Sequence, residues 1–325
     1  DEILRAAIVQ SYNLSFTKAD KKSNQLFSLG YYDQQGLVKL SDFKRVSGRF
    51  NSEYKLFDDH LRIGENISLS HSWGTSVSNN AALGGTLYEA YKFQSITPVK
   101  NLEDEYAGNV FSDIPNPMGK LHRNKDNKDK KSRLVGNLYA ELHLFDGFMF
   151  KTSFGADYNN LYRRSFSPKY DEINASEKLS GLSNRNAWNF NWVFTNTLNY
   201  TKTFGDHTIN ALLGLESLRN RYEYFTASRD GFPSDDPNFH FLDAGDVGTQ
   251  KNSGSATEYS MVSYFGKIDY NYHDRYLVAF TLRRDGSSRL GNNKWGNFPA
   301  ASVGWRISNE PFFDVEAINN LKLRV

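Results

Sequence analysis

The 325-residue sequence contains no cysteine, so disulfide frameworks, thiolate metal ligands and thiol nucleophiles are excluded at the outset. Proline is scarce, at 8 residues, which removes the commonest interrupter of long extended segments. No excess of one charge is present: 39 Lys+Arg offset 37 Asp+Glu for a net +2. Bulk charge therefore marks neither a nucleic-acid surface nor an acidic scaffold. No apolar run reaches the ~18 residues of a membrane-spanning helix, and the mean hydropathy is −0.62. A helical membrane protein is excluded by that pattern, but a barrel is not, because barrel strands show lipid only at every second residue.

Catalytic and metal-binding patterns are missing as well. His60, His71, His122, His143, His207, His240 and His273 are scattered, with no pair at helical ligand spacing. Asp230 to Asp236 is rich in carboxylates but lacks the full calcium-loop spacing. The run Gly286-Ser287-Ser288-Arg289-Leu290-Gly291 is no nucleophile elbow, since no strand-to-helix turn is expected there. Asp285-Gly286-Ser287-Ser288 instead suits a turn whose carboxylate accepts from nearby backbone N–H groups. The expectation is a non-enzyme without cofactor or metal.

What is abundant is aromatic: 24 Phe, 19 Tyr and 5 Trp make up 15% of the chain. From Trp188 to Phe204 one parity carries Trp188, Phe190, Trp192, Phe194, Leu198, Tyr200 and Phe204, while the other carries Asn, Thr and Val193. A period of two over that length means one long strand with an apolar and an uncharged polar face. The alternation recurs at Leu61 to Trp73, at Val262 to Tyr272 and, more weakly, in other segments, predicting about eleven strands and little helix. Tight turns (Lys18 to Ser23, Glu53 to Asp59, Phe145 to Gly147, Gly205 to His207, His273-Asp274) alternate with longer connections. These are Asp33 to Asp42, Thr75 to Ser132, Asn160 to Ala187, Arg219 to Thr257 and Gly286 to Asn297. Short turns on one rim and long loops on the other predict an all-β, antiparallel up-and-down transmembrane β-barrel rather than a Greek-key sandwich. Trp73, Trp188, Tyr200, Tyr272 and Tyr276 are then candidates for the interfacial girdles. Glu65 and Lys202, which interrupt the apolar parity, would have to lie near the rims.

Two loop segments have sharper readings. Lys120 to Arg133 carries seven cations against Asp126 and Asp129. It reads either as a contact for phosphates, of surface lipopolysaccharide or nucleic acid, or as a solvated, mobile loop. The absence of interleaved aromatics favours the loop and argues against nucleic acid. Leu83 to Phe93 has mixed helical spacing, so Tyr88 and Tyr91 either stack on sugar faces of a cargo or pack a short loop helix.

The ordered run Tyr264-Phe265-Gly266-Lys267-Ile268-Asp269-Tyr270, Asp274-Arg275-Tyr276 and Arg283-Arg284-Asp285-Gly286-Ser287-Ser288-Arg289 resembles the SusC/RagA family of TonB-linked outer-membrane transporters. It continues through Lys294-Trp295-Gly296-Asn297-Phe298-Pro299 to Leu321-Lys322-Leu323-Arg324. Leu290 and Ala300 depart from that family's usual Phe and Ser. Gly30-Tyr31-Tyr32-Asp33 with Phe43-Lys44-Arg45, and Asp1 to Arg5, extend the likeness to nearly the whole chain. The resemblance implies roughly the first half of a 22-stranded barrel, with the plug domain and the TonB-contacting box upstream and the closing strands downstream. It implies import of a glycan or peptide across the outer membrane of a Gram-negative bacterium, with a SusD-like surface lipoprotein as lid and TonB–ExbB–ExbD as energy source. It makes Arg283, Arg284, Asp285, Gly286, Ser287, Ser288, Arg289, Trp295, Phe298 and Pro299 a structural signature at the lumen and an adjoining loop. A siderophore or vitamin importer and a surface β-protein acting as an adhesin are the alternatives.

Overall fold

The computed structural model describes residues 2–78, 85–315 and 317–325. Twelve strands form one antiparallel sheet whose spatial order is the chain order. They are β1 (Val9–Ala19), β2 (Ser23–Gln35), β3 (Asp42–Leu56), β4 (Leu61–Gly74), β5 (Lys128–Phe145), β6 (Phe148–Ser167), β9 (Gly181–Phe204), β10 (His207–Asp230), β11 (Lys251–Tyr272), β12 (Tyr276–Ser287), β13 (Trp295–Arg306) and β14 (Lys322–Arg324). β7 (Tyr170–Glu172) and β8 (Ala175–Glu177) make a separate hairpin between β6 and β9, and α1 (Thr86–Lys92) and α2 (Pro117–Asn124) lie in the β4–β5 connection. Leu83 and Asp1 lie outside the described residues.

The register carries one apolar parity across the sheet. Phe16 faces Phe27, Phe27 faces Phe50 and Phe50 faces Ile67. Leu69 then meets Leu134, Leu138 meets Phe154, Phe154 meets Phe194 and Leu198 meets Leu213. Side chains of one parity stand on one face of a strand, so these residues form a continuous apolar surface. They are not buried: Leu213 is 65% exposed, Leu138 55% and Phe16 59%. An exposed apolar face on this scale has no place in water.

The opposite parity is polar and self-satisfied. Asn66 donates to Asn137 at 3.0 Å, Asn220 to Asn189 at 3.0 Å and Tyr139 to Glu53 at 2.8 Å. Arg133 grips Asp157 at 3.0 and 2.7 Å, and Lys151 reaches Glu141 at 2.8 Å. Such cross-strand pairs stabilise adjacent strands by a few tenths of a kcal/mol to about 1 kcal/mol each.

The two charged interruptions noted in the sequence, Lys202 and Glu65, each have a local hydrogen-bond partner. Lys202 pairs with Asp146 in the neighbouring tight turn, and Glu65, four residues into β4, accepts from Ser52. Turn chemistry closes the short rim. Gly147 takes φ +82 between β5 and β6, a left-handed backbone that disfavours any side chain. His273 and Asp274, at φ 54 and 55, make the β11–β12 turn, closed by Arg275 N–H to the Tyr272 carbonyl at 3.0 Å.

Two expectations need correction. The strands reach far beyond the predicted loop edges: β6 ends at Ser167, β9 starts at Gly181, and β10 and β11 continue to Asp230 and from Lys251. Out there the faces meet water or the folded loops rather than lipid, so alternation fades while backbone pairing persists. The cationic run is no loop either, because Lys120 and Arg123 sit in α2 and Lys128 onward belongs to β5.

Candidate functional site

Two constellations lie where the sequence pointed, and one arose elsewhere. The first is the β12 segment. Arg283 Nε donates to Asp285 at 2.7 and 3.0 Å on the same strand face, and its Nη2 donates to Ser263 on β11 at 2.9 Å and approaches Glu216 on β10 at 3.4 Å. Thr195 Oγ1 on β9 donates to Glu216 at 3.2 Å. A period of two places Arg283 and Asp285 side by side, and register brings Ser263 opposite Asp285 and Glu216 opposite Ser263. The result is a four-strand polar bridge on the polar face.

The signature divides between the two faces. Arg284 lies over the Trp295 ring at 5.1 Å on the apolar parity, and a Cβ on Gly286 would meet that ring at 2.9 Å, so the glycine makes room for it. Pro299 faces Leu282 on the apolar parity, and Phe298 faces Arg283 on the polar one. The Asp285 carboxylate does not cap a turn as the sequence suggested. It lies inside β12, where the guanidinium two residues away is the stronger donor. The capping comes from serines: Ser287 Oγ accepts from Arg289 N–H at 3.3 Å and Ser288 Oγ from Ser260 N–H at 2.9 Å. Arg289 lies over Tyr259 at 3.8 Å.

The second constellation is the α1 pair. Tyr91 is 89% exposed, and Tyr88 is covered by Lys92 Nζ at 4.4 Å from its ring centre. α1 is held to α2 by Lys120 and Glu89 at 2.7 Å. Neither tyrosine lines the cavity between the loops described next.

The third, which sequence reasoning missed, is a folded cap built from the long connections. Asn116 caps α2, accepting from Met118 and Gly119 N–H at 3.0 and 3.2 Å, with Pro117 at the first helical position. Its own amide donates to the Val99 and Ala107 carbonyls at 3.1 and 3.0 Å. Glu172 in the β7–β8 hairpin accepts from Asn116 N–H at 2.5 Å and from Arg123 at 2.8 Å. Arg123 in turn stacks on Tyr170 at 3.9 Å. Phe166, Leu182 and Phe232 form the buried apolar cluster beside this network, packed by Leu242. The His240 ring stacks on Phe166 at 3.5 Å between centroids, and burial pushes its pKa below the ordinary value. Asp230 and Asp236 are occupied too, by Lys251 at 3.0 Å and by Asn238 N–H at 2.9 Å. A cavity of about 600 Å³ opens between the loops, lined among others by Ser76, Thr86, Arg163, Arg164 and Tyr170. The Asn116-Pro117 step is the signal that would have found the start of α2 from sequence.

No family model matches the chain. TonB-dependent receptor SusC of Bacteroides thetaiotaomicron is 28% identical over 348 residues, covering all of this chain and 34% of the receptor. TonB-dependent receptor P39 of Formosa agariphila is 28% identical over 328 residues, covering 100% of this chain and 31% of its own length. The chain is homologous to the SusC/RagA-type TonB-dependent receptors. It spans about a third of the length of the curated relatives it matches. The solved RagAB peptide importer in its open-open state superposes with a TM-score of 0.82 at 23% identity, over 99% of this chain and 36% of the importer chain. The siderophore receptor PiuA from Acinetobacter baumannii gives 0.55 at 11% identity, over 93% of this chain and 47% of that one. The fold is part of the wall of the antiparallel up-and-down transmembrane barrel of SusC/RagA-type receptors. In barrels of this kind one parity of each strand faces lipid and the other the lumen.

Proposed function

We propose that this chain forms wall and mouth of an outer-membrane importer that takes up a large nutrient, an oligosaccharide or a peptide, with a SusD-like lipoprotein as surface partner and TonB as driver. The carrying observation is the division of labour across one sheet: a continuous apolar parity for lipid, a hydrogen-bonded polar parity for the lumen, and long connections folded into a cap on one rim. A siderophore-type receptor is the weaker reading, because the superposition falls from 0.82 on the RagAB importer to 0.55 on PiuA. In this reading Tyr88 and Tyr91 offer stacking faces at the mouth. The β12–β13 signature keeps a structural role, the Arg283 bridge at the lumen and the Ser287–Trp295 connection at the rim.

The test is uptake of labelled oligosaccharide and peptide mixtures by cells expressing the complete receptor, with and without TonB and with and without a co-expressed SusD-like lipoprotein. Saturable uptake of either class that disappears without TonB supports the proposal. Uptake of ferric chelates alone, or TonB-independent binding only, overturns it.

A further inference from the structure

On β5 the apolar parity runs Leu142, Leu138 and Leu134, and then changes character to Ser132, Lys130 and Lys128. At ~3.3 Å per residue and a tilt near 40°, the ten steps from Leu142 to Ser132 cover about 25 Å, the height of a barrel's apolar band. Lys130 and Lys128 therefore stand just above the hydrocarbon edge, at the long-loop rim. Their lateral neighbours fit that level. Trp73 on β4 and Tyr162 on β6 flank Lys130 in register, and Arg164 faces Lys128.

The cations of these strands differ in whether the protein itself pairs them. On the polar parity Arg133 holds Asp157 and Arg163 holds Asp129, each through two hydrogen bonds of 2.5–3.0 Å, while Lys131 between them is exposed. On the apolar parity Lys128 and Lys130 are exposed, and among the described residues neither they nor Arg164 has an anionic partner. Arg164 is half-buried at the edge of the loop cavity.

We propose that Lys128 and Lys130, with Arg164 beside Lys128 and Trp73 and Tyr162 flanking Lys130, form a docking site for the phosphate of an outer-leaflet lipid headgroup. The site rests on the barrel reading above. Ammonium and guanidinium groups donate charge-assisted hydrogen bonds to phosphate oxygens, and the aromatic pair occupies the headgroup boundary where amphipathic rings settle. Seating a lipid there would fix β4, β5 and β6 beneath the cap.

The experiment titrates the complete receptor, purified in neutral detergent, with bis-phosphorylated lipid A and with its dephosphorylated form, reading bound lipid by native mass spectrometry. K128Q/K130Q should weaken binding of the phosphorylated lipid by about tenfold or more, from the contribution of each cation near an anionic surface. K128R/K130R should stay within about twofold, because the charge is kept. The dephosphorylated lipid should not distinguish wild type from variant, and millimolar inorganic phosphate should not displace lipid A. Equal binding by wild type and K128Q/K130Q, or displacement by inorganic phosphate alone, overturns the proposal. Heat-modifiable migration is followed in parallel. Its loss in the wild type would overturn the barrel reading and this site with it, whereas its retention with equal lipid binding overturns the site alone.

Discussion

Phe194→Arg is the most discriminating single change. Phe194 lies on the apolar parity of β9, facing Phe154 across the β6 pair. From Tyr200 back to Phe190 is ten steps along β9, or about 25 Å at a tilt near 40°. Phe194 is within about one residue of the centre of that span. A guanidinium at the bilayer midplane costs ~2–4 kcal/mol, whereas near an interface the same charge costs about 0–1 kcal/mol. The expected series is therefore a depth profile: Phe194→Arg destabilises most, Leu198→Arg, two residues from the Tyr200 edge, less, and Trp188→Arg least. Thr195→Arg, one residue away but on the polar parity beside Glu216, should cost less than Phe194→Arg. The assay is urea titration of the complete receptor refolded in phosphatidylcholine vesicles, following the heat-modifiable fraction. Thr195→Arg proving costlier than Phe194→Arg, or a profile flat with depth, would refute the assignment of faces.

Arg283→Gln should destabilise by about 1–2 kcal/mol, discounted for partial exposure, because it leaves Asp285 and Glu216 without their shared cation; a double-mutant cycle with Glu216→Gln should show coupling, and strict additivity would sink the bridge. Glu172→Gln should loosen the cap by about 1–3 kcal/mol while the strands stay intact, since Glu172 is buried and accepts from both Asn116 and Arg123; hydrogen exchange confined to residues 99–125 and 166–182 checks this. Because burial lowers the His240 pKa in the folded cap, the opened cap binds the proton first. Cap stability should thus be full above the ordinary histidine value of about 6.5 and decline as pH falls below it. Exchange at Phe166 and Phe232 that is unchanged between pH 7.5 and pH 5.5 would contradict that.

The barrel wall was legible because its physics is local. Lipid on one side and polar partners on the other impose a period of two, which Trp188 to Phe204 displays almost without interruption, and the short rim needs left-handed turn positions such as Gly147. The upper strands were not legible. From Asn160 to Ser167 and from Gly181 to Ala187 both faces are wetted or covered by loops, so no parity is selected and the sequence reads as a connection. β5 was obscured at its start for a related reason: Lys128, Lys130 and Lys131 look like a solvated run until register shows which face each occupies. In the cap, Asn116 and Glu172 meet across 56 positions of sequence, a convergence that no local pattern encodes. The Arg283 bridge was half visible, since Asp285 is two residues away, but Ser263 and Glu216 enter only through the pairing of three strands.

The β9–β10 hairpin has two strands of 24 residues each, while crossing a bilayer takes about 9–11. Roughly half of its length therefore rises beyond the hydrocarbon as a doubly bonded ribbon, continued on either side by β6 and β11 in full register. Mechanically this is a stiff palisade rather than a fringe of loops. A cap fastened to its top by Phe166, Leu182 and Phe232 turns with the wall, not against it. Any gating at this sector of the mouth must then be delivered by whatever swings over the palisade, which acts as a fixed doorpost.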